Sequence, residues 1–564
     1  MGRPASDSRT DFWPAGVPRH LGPLPRSLGE ALRLTAARRG EALAIAYYGA
    51  EITFADLLGR VERLAAFLQH RCGVRQGDRV LLGMQNSPHF VIGYQAIVRA
   101  GAVVVPVNPM NTPDELGYFA TDSGARTAII GAELLDRYAS LVPAPLEHLV
   151  IATYGDEIPA DTPFRLPSVI AESVLPAPLP VGAIAWEEAL AESAPPLPDR
   201  TEPGDLCVMP YTSGTTGKPK ACKHTHASVL HTALLQASWY GYDDDTVLTG
   251  FMPMFHVAGM QLSLNGCAAA GASLVIMSRW DRDLVGPLFE RYGVTLWSAA
   301  PTMVIDVLSG AGLEDKAFAR LKIITGGGAT MPEAVAAELE RRFGLHFIEG
   351  YGMTETISPT HLNPLDRPKA QCLGIPVHDT VARVVSPETF DELPRGEVGE
   401  IVVAGPQIMQ GYWNRPDADA ETFLERDRLR FLRTGDLGWV DEDGYFHIID
   451  RLKRMVNVSG YKVWPAECEA TLHRHPAIQE CCLVSSPDPY RGETVKLFVV
   501  RRPGIETSAD DIIAWARGVM AAYKVPRRVE FVDHLPRSAS NKVDWRSLQA
   551  AEWERAKAAA STAA

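Results

Sequence analysis

Short apolar runs alternate along most of the chain with stretches whose apolar positions recur at helical spacing. Segments 79–84, 103–106, 206–210, 246–253, 272–278, 295–299, 322–325 and 346–349 read as strands, and 90–99 and 227–235 as helices. Strands alternating with helices predict an α/β fold: a large N-terminal domain of layered, mostly parallel sheets with helices. Ten of the 42 prolines fall between Pro159 and Pro203, which predicts a long surface connection over about 155–205. Near residue 450 the pattern changes to a small α+β unit, with a strand at 495–500 and a helix over 510–520. The expected domains are therefore 1–450 and a small, mobile C-terminal domain at 451–564. The Ala-rich last fifteen residues are expected to fray.

At 564 residues, 46% apolar and 22% charged, the chain has the composition of a globular protein, and collagen-like or wholly disordered structure is excluded. The net charge of −13 gives no basic field for nucleic acid. A local cationic site for phosphate groups remains compatible with it. The eight cysteines are scattered apart from Cys481-Cys482, without a CxxC or zinc spacing, which predicts reduced thiols and a cytoplasmic setting. No apolar run reaches the length of a membrane span, and the longest, 266–277, reads as buried core. Peripheral membrane contact and a homodimer stay open.

The first chemistry-bearing stretch is Thr212-Ser-Gly-Thr-Thr-Gly-Lys-Pro-Lys220, between an apolar strand and a helical pattern. Gly214 and Gly217 let backbone N–H groups turn around an anion. Thr212, Ser213, Thr215 and Thr216 add hydroxyl donors, and Lys218 adds charge. The common NTPase P-loop needs four residues between its glycines and a Ser/Thr after the Lys; here Pro219 follows Lys218. A second glycine run, Gly326-Gly327-Gly328-Ala329, follows a strand and lets a flat ligand lie against backbone. Thr330 and Glu333 form a capping-box pattern around Pro332, predicting a helix that ends near Gly344.

The loop YTSGTTGKPK resembles the signature of adenylate-forming enzymes: acyl-CoA synthetases, luciferases and peptide-synthetase adenylation domains. Tyr351-Gly-Met-Thr-Glu355, Thr434-Gly-Asp436, Asp450-Arg451-Leu-Lys453, Ser459-Gly-Tyr461 and 536–542 follow in that family's order and spacing. The resemblance runs from about residue 30 to about 550. It implies a reaction in two halves: a carboxylate and ATP give acyl-AMP and pyrophosphate, then a thiol, usually of coenzyme A, displaces AMP. It implies ATP, Mg2+ and coenzyme A as cofactors and a small carboxylic acid as partner.

The same resemblance implies roles. The Gly214 loop holds the β- and γ-phosphates. Glu355 ligates magnesium, Thr354 contacts the α-phosphate and Tyr351, followed by Gly352, stacks on adenine. Gly327, Gly328 and Ala329 lie along adenine. Asp436 takes the ribose hydroxyls, Ile448 packs under adenine and Arg451 contacts ribose or phosphate. Lys542 bridges the attacking carboxylate and the α-phosphate, although Asn541 stands where the family usually has Gly. Lys453 is the hinge for a rotation of the small domain, after which Ser459, Gly460 and Tyr461 face the site to admit the thiol. Pro465-Ala-Glu467-Cys-Glu469 departs from the family only by Cys468, a core-like position.

His256, in the segment resembling the family's acyl gate, stands near where an amino-acid-activating domain carries Asp, which argues against an amino-acid substrate. Trp239, Tyr240, Met260, Trp297 and Gly326 complete the expected acyl pocket and offer no cation for a second carboxylate. A medium- or long-chain fatty acid is the first expectation and an aryl or alicyclic acid the second. The rival from another class is a nucleotide-binding homologue without turnover.

Overall fold

The computed structural model describes residues 13–212, 218–310, 315–328, 330–458, 461–488, 492–537 and 543–562. The chain forms two compact units. The larger takes the residues up to Ala382, Val403–Leu432 and Asp443–Phe446; the smaller takes Arg383–Val402, Arg433–Glu442 and the chain from His447 onward.

Two large sheets organise the larger unit. One has nine strands in the order Ile375–Pro376, Ser358–Leu362, Phe347–Met353, Ile323–Gly327, Leu296–Ser298, Val247–Gly250, Ser273–Ile276, Leu43–Tyr47 and Ala50–Thr53. Its six central strands are parallel, and antiparallel strands close both edges. The other has seven: His224–Thr225, Leu206–Val208, Val103–Val107, Arg79–Gly83, Thr127–Gly131, His148–Ala152 and Ala183–Ala185, all parallel but for the first pair. Central strands such as Val103–Val107 are buried at every position, so they read as continuous apolar runs rather than alternating ones. Helix Pro88–Arg99 is buried along nearly its whole length; Ser87 Oγ caps it by accepting from Phe90 N at 3.1 Å, and Pro88 opens it.

In the smaller unit, Tyr461–Val463, Val456–Val458, Gly492–Arg501 and Ile478–Asp488 form an antiparallel sheet. Arg528–Phe531 joins it parallel to Gly492–Arg501. Val456, Leu472, Leu483, Leu497 and Ile512 build its core. A further five-stranded sheet runs Val381–Val385, Gly399–Ala404, Leu429–Val440 and Phe423–Arg426, with Phe446–Arg451 beside Leu429–Val440; the chain passes between the units within its strands.

The architecture is the α/β arrangement expected, with four local corrections. The Pro-rich stretch is not only a surface connection: it supplies the edge strand Ala183–Ala185 and buries Trp186, whose ring meets His89 edge-on at 4.9 Å. The helix after the second glycine run begins at Glu333 with Pro332 as its N-cap and no side-chain cap, so the Thr330 capping box does not form. Its end is as expected, at Phe343 before a left-handed Gly344. The strand expected at 346–349 continues through Met353, because Ser358–Leu362 pairs with it. The alanine-rich end continues the helix Trp545–Thr562, in keeping with alanine's high helix propensity.

Candidate functional site

The hydroxyl-rich loop springs from a two-stranded hairpin, Tyr211–Thr212 paired with Lys220–Ala221, in register Thr212↔Lys220. Ser213–Gly217 lie outside the described residues. The next helix, His226–Tyr240, starts eight residues after exposed Lys218, so the loop does not open directly onto a helix N-terminus. Lys218 Nζ stands 5.3 Å above the Tyr118 ring, and Tyr118 donates to Pro219 O at 2.8 Å.

The Tyr351–Glu355 motif sits half on a strand and half on a turn. Tyr351 and Gly352 are strand residues, while Thr354–Thr356 form one turn of 3-10 helix. The turn ends on two left-handed residues, Ile357 at φ 45° and Ser358 at φ 85°. A β-branched residue there is strained, so the surrounding contacts must hold it. Thr356 Oγ1 accepts from Met353 N at 3.0 Å, and Thr354 O accepts from His224 Nε2 at 2.8 Å. Burial pushes His224 down to about 4, which keeps its ring neutral. Glu355 is buried; its Oε1 accepts from Tyr412 Oη at 2.8 Å and its carbonyl from Met409 N at 2.9 Å. The Tyr351 ring tilts against buried His361, with centroids 5.7 Å apart.

The glycine run lies on the strand beside this motif. A Cβ on Gly326 would stand 1.8 Å from Ala299 O, and one on Gly327 2.3 Å from Gly350 O. Close backbone approach therefore requires both glycines. Ala329 lies outside the described residues. Glu349, buried one residue before Gly350, ties the segment together. Its Oε1 accepts from Met331 N at 2.7 Å and its Oε2 from Cys372 N at 3.1 Å. Burial pushes its carboxyl up, against backbone N–H groups that pull it down. Asn363 adds a second clamp, with its backbone N donating to Glu349 O at 3.0 Å and Nδ2 donating to Cys372 O at 3.1 Å.

The expected acyl-pocket residues have different surroundings. Tyr240 Oη pairs with Thr325 Oγ1 at 2.8 Å, immediately before Gly326. Trp297 lies on the adjoining strand in register with Ile324, its ring edge-on to Phe289 at 5.6 Å. Buried Met260 opens a π-helix, Met260–Asn265, a rare form concentrated at functional positions. Trp239 turns toward Trp13 and His378, and its Nε1 donates to Asn363 O at 3.0 Å. His256 is exposed and caps the turn before the π-helix, Nδ1 accepting from Ala258 N at 3.3 Å. Asn86 fixes the preceding loop: Nδ2 donates to Gly250 O and Met252 O at 2.9 and 2.8 Å, and Oδ1 accepts from Met254 N at 2.8 Å.

In the smaller unit, buried Asp436 pairs with Arg451 Nε at 2.9 Å, and its backbone N donates to Thr434 Oγ1 at 3.1 Å. Ile448 is exposed. Lys453 lies on the turn Leu452–Arg454. On either side of it, Asp450 Oδ2 accepts from Ala466 N at 2.7 Å, and Arg454 is ion-paired with Glu469. Tyr461 is 60% exposed and stacks on Tyr523 with centroids 4.9 Å apart. Cys468 is buried in the core. Ser459, Gly460, Asn541 and Lys542 lie outside the described residues.

Sequence reasoning missed Glu349, Asn363, His224, Asn86 and Tyr412. Glu349 carried a signal, a lone carboxylate in an apolar strand six residues before Glu355. Among the described residues no cluster of three His, Cys, Asp or Glu could hold a metal alone. One buried carboxylate such as Glu355 matches the donor set of magnesium, which is commonly held by one or two carboxylates together with substrate phosphates. No helix among the described residues is long and apolar enough to cross a membrane.

Known proteins share this organisation. The chain is 34% identical over 555 residues to a long-chain-fatty-acid–CoA ligase of Bacillus subtilis (strain 168), covering 96% of this chain and 97% of the relative. It is 34% identical over 509 residues to a feruloyl-CoA synthase of an Amycolatopsis species, covering 89% and 94%. The crystal structure of ATP-bound MatB from Rhodopseudomonas palustris superposes with a TM-score of 0.79 at 29% identity, over 93% of this chain and 98% of that one. The AMP-binding enzyme model matches residues 32–413 and the AMP-binding enzyme C-terminal domain matches 467–542. With most of its length matched in this way, the chain belongs to the AMP-binding enzyme family.

Proposed function

We propose that the protein is an ATP-dependent acid–CoA ligase, forming acyl-AMP and pyrophosphate and then the coenzyme A thioester. The observation that carries the reading is buried Glu355, on its turn beside the strand that bears Tyr351 and within the same unit as the glycine run and the Lys218 hairpin.

In the first half-reaction the acid oxygen attacks the α-phosphorus and pyrophosphate leaves. The 212–218 loop takes the β- and γ-phosphates, Thr354 contacts the α-phosphate, and Tyr351 and the Gly326–Gly328 backbone receive adenine and acyl group. Glu355 would hold magnesium, which would neutralise phosphate charge. Asp436 accepts from the ribose hydroxyls with Arg451 beside it. Lys542 stabilises the charge that develops between carboxylate and α-phosphate, an interaction strongest in the transition state. The small domain, 451–564, then turns about Lys453, and Tyr461 and its loop admit the thiol.

The acid is a medium- or long-chain fatty acid, in line with the relatives named for that substrate. A second reading, an aryl acid, is favoured by Tyr240 and Trp297 beside the glycine run and by the relative named feruloyl-CoA synthase. The free thiols of all eight cysteines fit a cytoplasmic setting.

The test is carboxylate-dependent pyrophosphate release, with and without coenzyme A, from acetate to palmitate plus benzoate and cyclohexanecarboxylate. A chain-length optimum with coenzyme A-stimulated turnover supports the fatty-acid reading; preference for ring acids moves the substrate to the second. Silence with every acid despite ATP binding overturns both. Lys542→Ala should abolish adenylation while added acyl-AMP still reacts with coenzyme A.

A further inference from the structure

Tyr412 makes a set of contacts that the reaction above leaves without a role. It belongs to a stretch paired with the strand leaving the hydroxyl-rich loop. Trp413 N donates to Ala221 O at 2.8 Å, Lys223 N to Gly411 O and Gln410 N to Lys223 O at 2.9 Å, and Tyr412 bridges Cys222. Its ring is buried, with Lys220 Nζ 5.0 Å above the face, and its backbone N donates to Asp419 Oδ1 at 2.7 Å. Its hydroxyl donates to Glu355 Oε1 at 2.8 Å, while Met409 N, three residues earlier, donates to the Glu355 carbonyl. One residue thus meets the strand leaving the loop through its backbone, and the last lysine of that motif and the buried carboxylate through its side chain.

A glutamate on a single 3-10 turn has three side-chain torsions to restrain. A hydroxyl fixed on a buried, backbone-paired residue restrains them through one carboxylate oxygen. The phenol O–H is the donor of this bond and the carboxylate oxygen its acceptor.

We infer that Tyr412 is a positioning residue for magnesium–ATP: it orients the Glu355 carboxylate and links that orientation to the strand that carries the phosphate loop. The inference rests on the reading of Glu355 as the magnesium ligand. It makes the metal requirement sensitive to a hydroxyl that touches neither metal nor nucleotide.

Tyr412→Phe removes that oxygen and keeps the ring, the Lys220 contact and the backbone pairing. Manganese(II) affinity in the presence of a non-hydrolysable ATP analogue is read by electron paramagnetic resonance, alongside the magnesium dependence of pyrophosphate release. The dissociation constant for manganese should rise ~10-fold, with the magnesium requirement rising in step and KM for the acid unchanged. Tyr154→Phe is the structural control, since Tyr154 is buried and donates to Glu133 Oε1 at 2.8 Å; it should lower Tm without moving manganese affinity. If Tyr412→Phe also lowers only Tm, the positioning role is overturned. Glu355→Gln separates the two levels. Weakened manganese binding in Glu355→Gln beside unchanged binding in Tyr412→Phe fells this inference alone. Unchanged binding in Glu355→Gln fells the ligand assignment and the inference with it.

Discussion

The motif residues of the larger unit and those of the smaller one are held by different forces. Around Gly326 and Glu355 the ties are buried and directional: Glu349 to Met331 N and Cys372 N, His224 to Thr354 O, Tyr412 to Glu355. Around Lys453 charged pairs join the backbone bonds of Asp450 and Glu469: Arg451 with Asp436 and Arg454 with Glu469, beside exposed Ile448 and Tyr461. A network of backbone hydrogen bonds has one good geometry and costs little reorganisation when charge develops nearby. Exposed groups such as Arg451, Ile448 and Tyr461 can exchange partners. The contrast matches a unit that keeps its site fixed and a unit whose proposed task is to present different residues in turn.

Acid should break the comparison most strongly. Burial holds His89, His224, His226 and His378 down to about 4 and His361 to about 3, all in the larger unit. Each folded value lies below the unfolded one near 6.5, so stability is fully present above about pH 6.5 and is lost as pH falls toward 4. In the smaller unit His473 and His475 are lowered too, and in both units burial raises carboxyls, Glu133 and Glu349 in the larger and Asp450 and Glu469 in the smaller, whose contributions run the other way and weaken as pH rises; the five buried histidines of the larger unit set the difference. Calorimetry of the full chain between pH 7 and 5 should show the larger unit's transition moving down further. Two transitions moving together would erase the distinction.

Arg454→Ala comes next. It strands Glu469, a nearly buried carboxylate that also accepts from Leu483 N at 2.5 Å. The cost to the smaller unit should be about 3–5 kcal/mol, and Arg454→Met with Glu469→Leu should recover most of it. If the single and double variants melt alike, the pair is not what holds the turn beside Lys453. Glu349→Ala leaves two buried N–H groups without an acceptor, at about 1–3 kcal/mol each, and should raise KM for ATP. Glu349→Gln keeps one acceptor and should fall between; an unchanged KM with lowered Tm would reduce Glu349 to a structural tie. Tyr461→Ala should be mildest for stability, about 0.5–1.5 kcal/mol from the Tyr523 stack, while slowing transfer of the acyl group to coenzyme A and sparing adenylation. Slowed adenylation would place Tyr461 in the wrong half of the reaction.

Legibility in the sequence followed the same divide. Strands such as Val103–Val107 are buried on both faces, and burial writes itself as an apolar run. The extension over Gly350–Met353 left no such trace, because it exists through pairing with Ser358–Leu362. Trp186 was hidden by prolines on both sides of it that mark a loop although the ring is core. In the site, clustered glycines, hydroxyls and lysines announced themselves by spacing. Tyr412 did not: its partner Glu355 lies 57 residues away, and a single tyrosine after a glycine has no periodicity. Ties between distant segments are what sequence pattern conveys least.

The hairpin that bears the proposed phosphate loop has one more consequence, in the response to salt. A helix terminus brings a fixed partial charge to an anion, whereas a β-ribbon has almost no net dipole. With the helix eight residues beyond Lys218, the long-range attraction for a triphosphate falls to side-chain cations rather than to a helix dipole, and Lys218 is exposed. Charges facing solvent are screened over about 8 Å at physiological ionic strength. ATP affinity in this protein should therefore decline steadily with added salt, and the decline should flatten when Lys218 is replaced by a neutral residue.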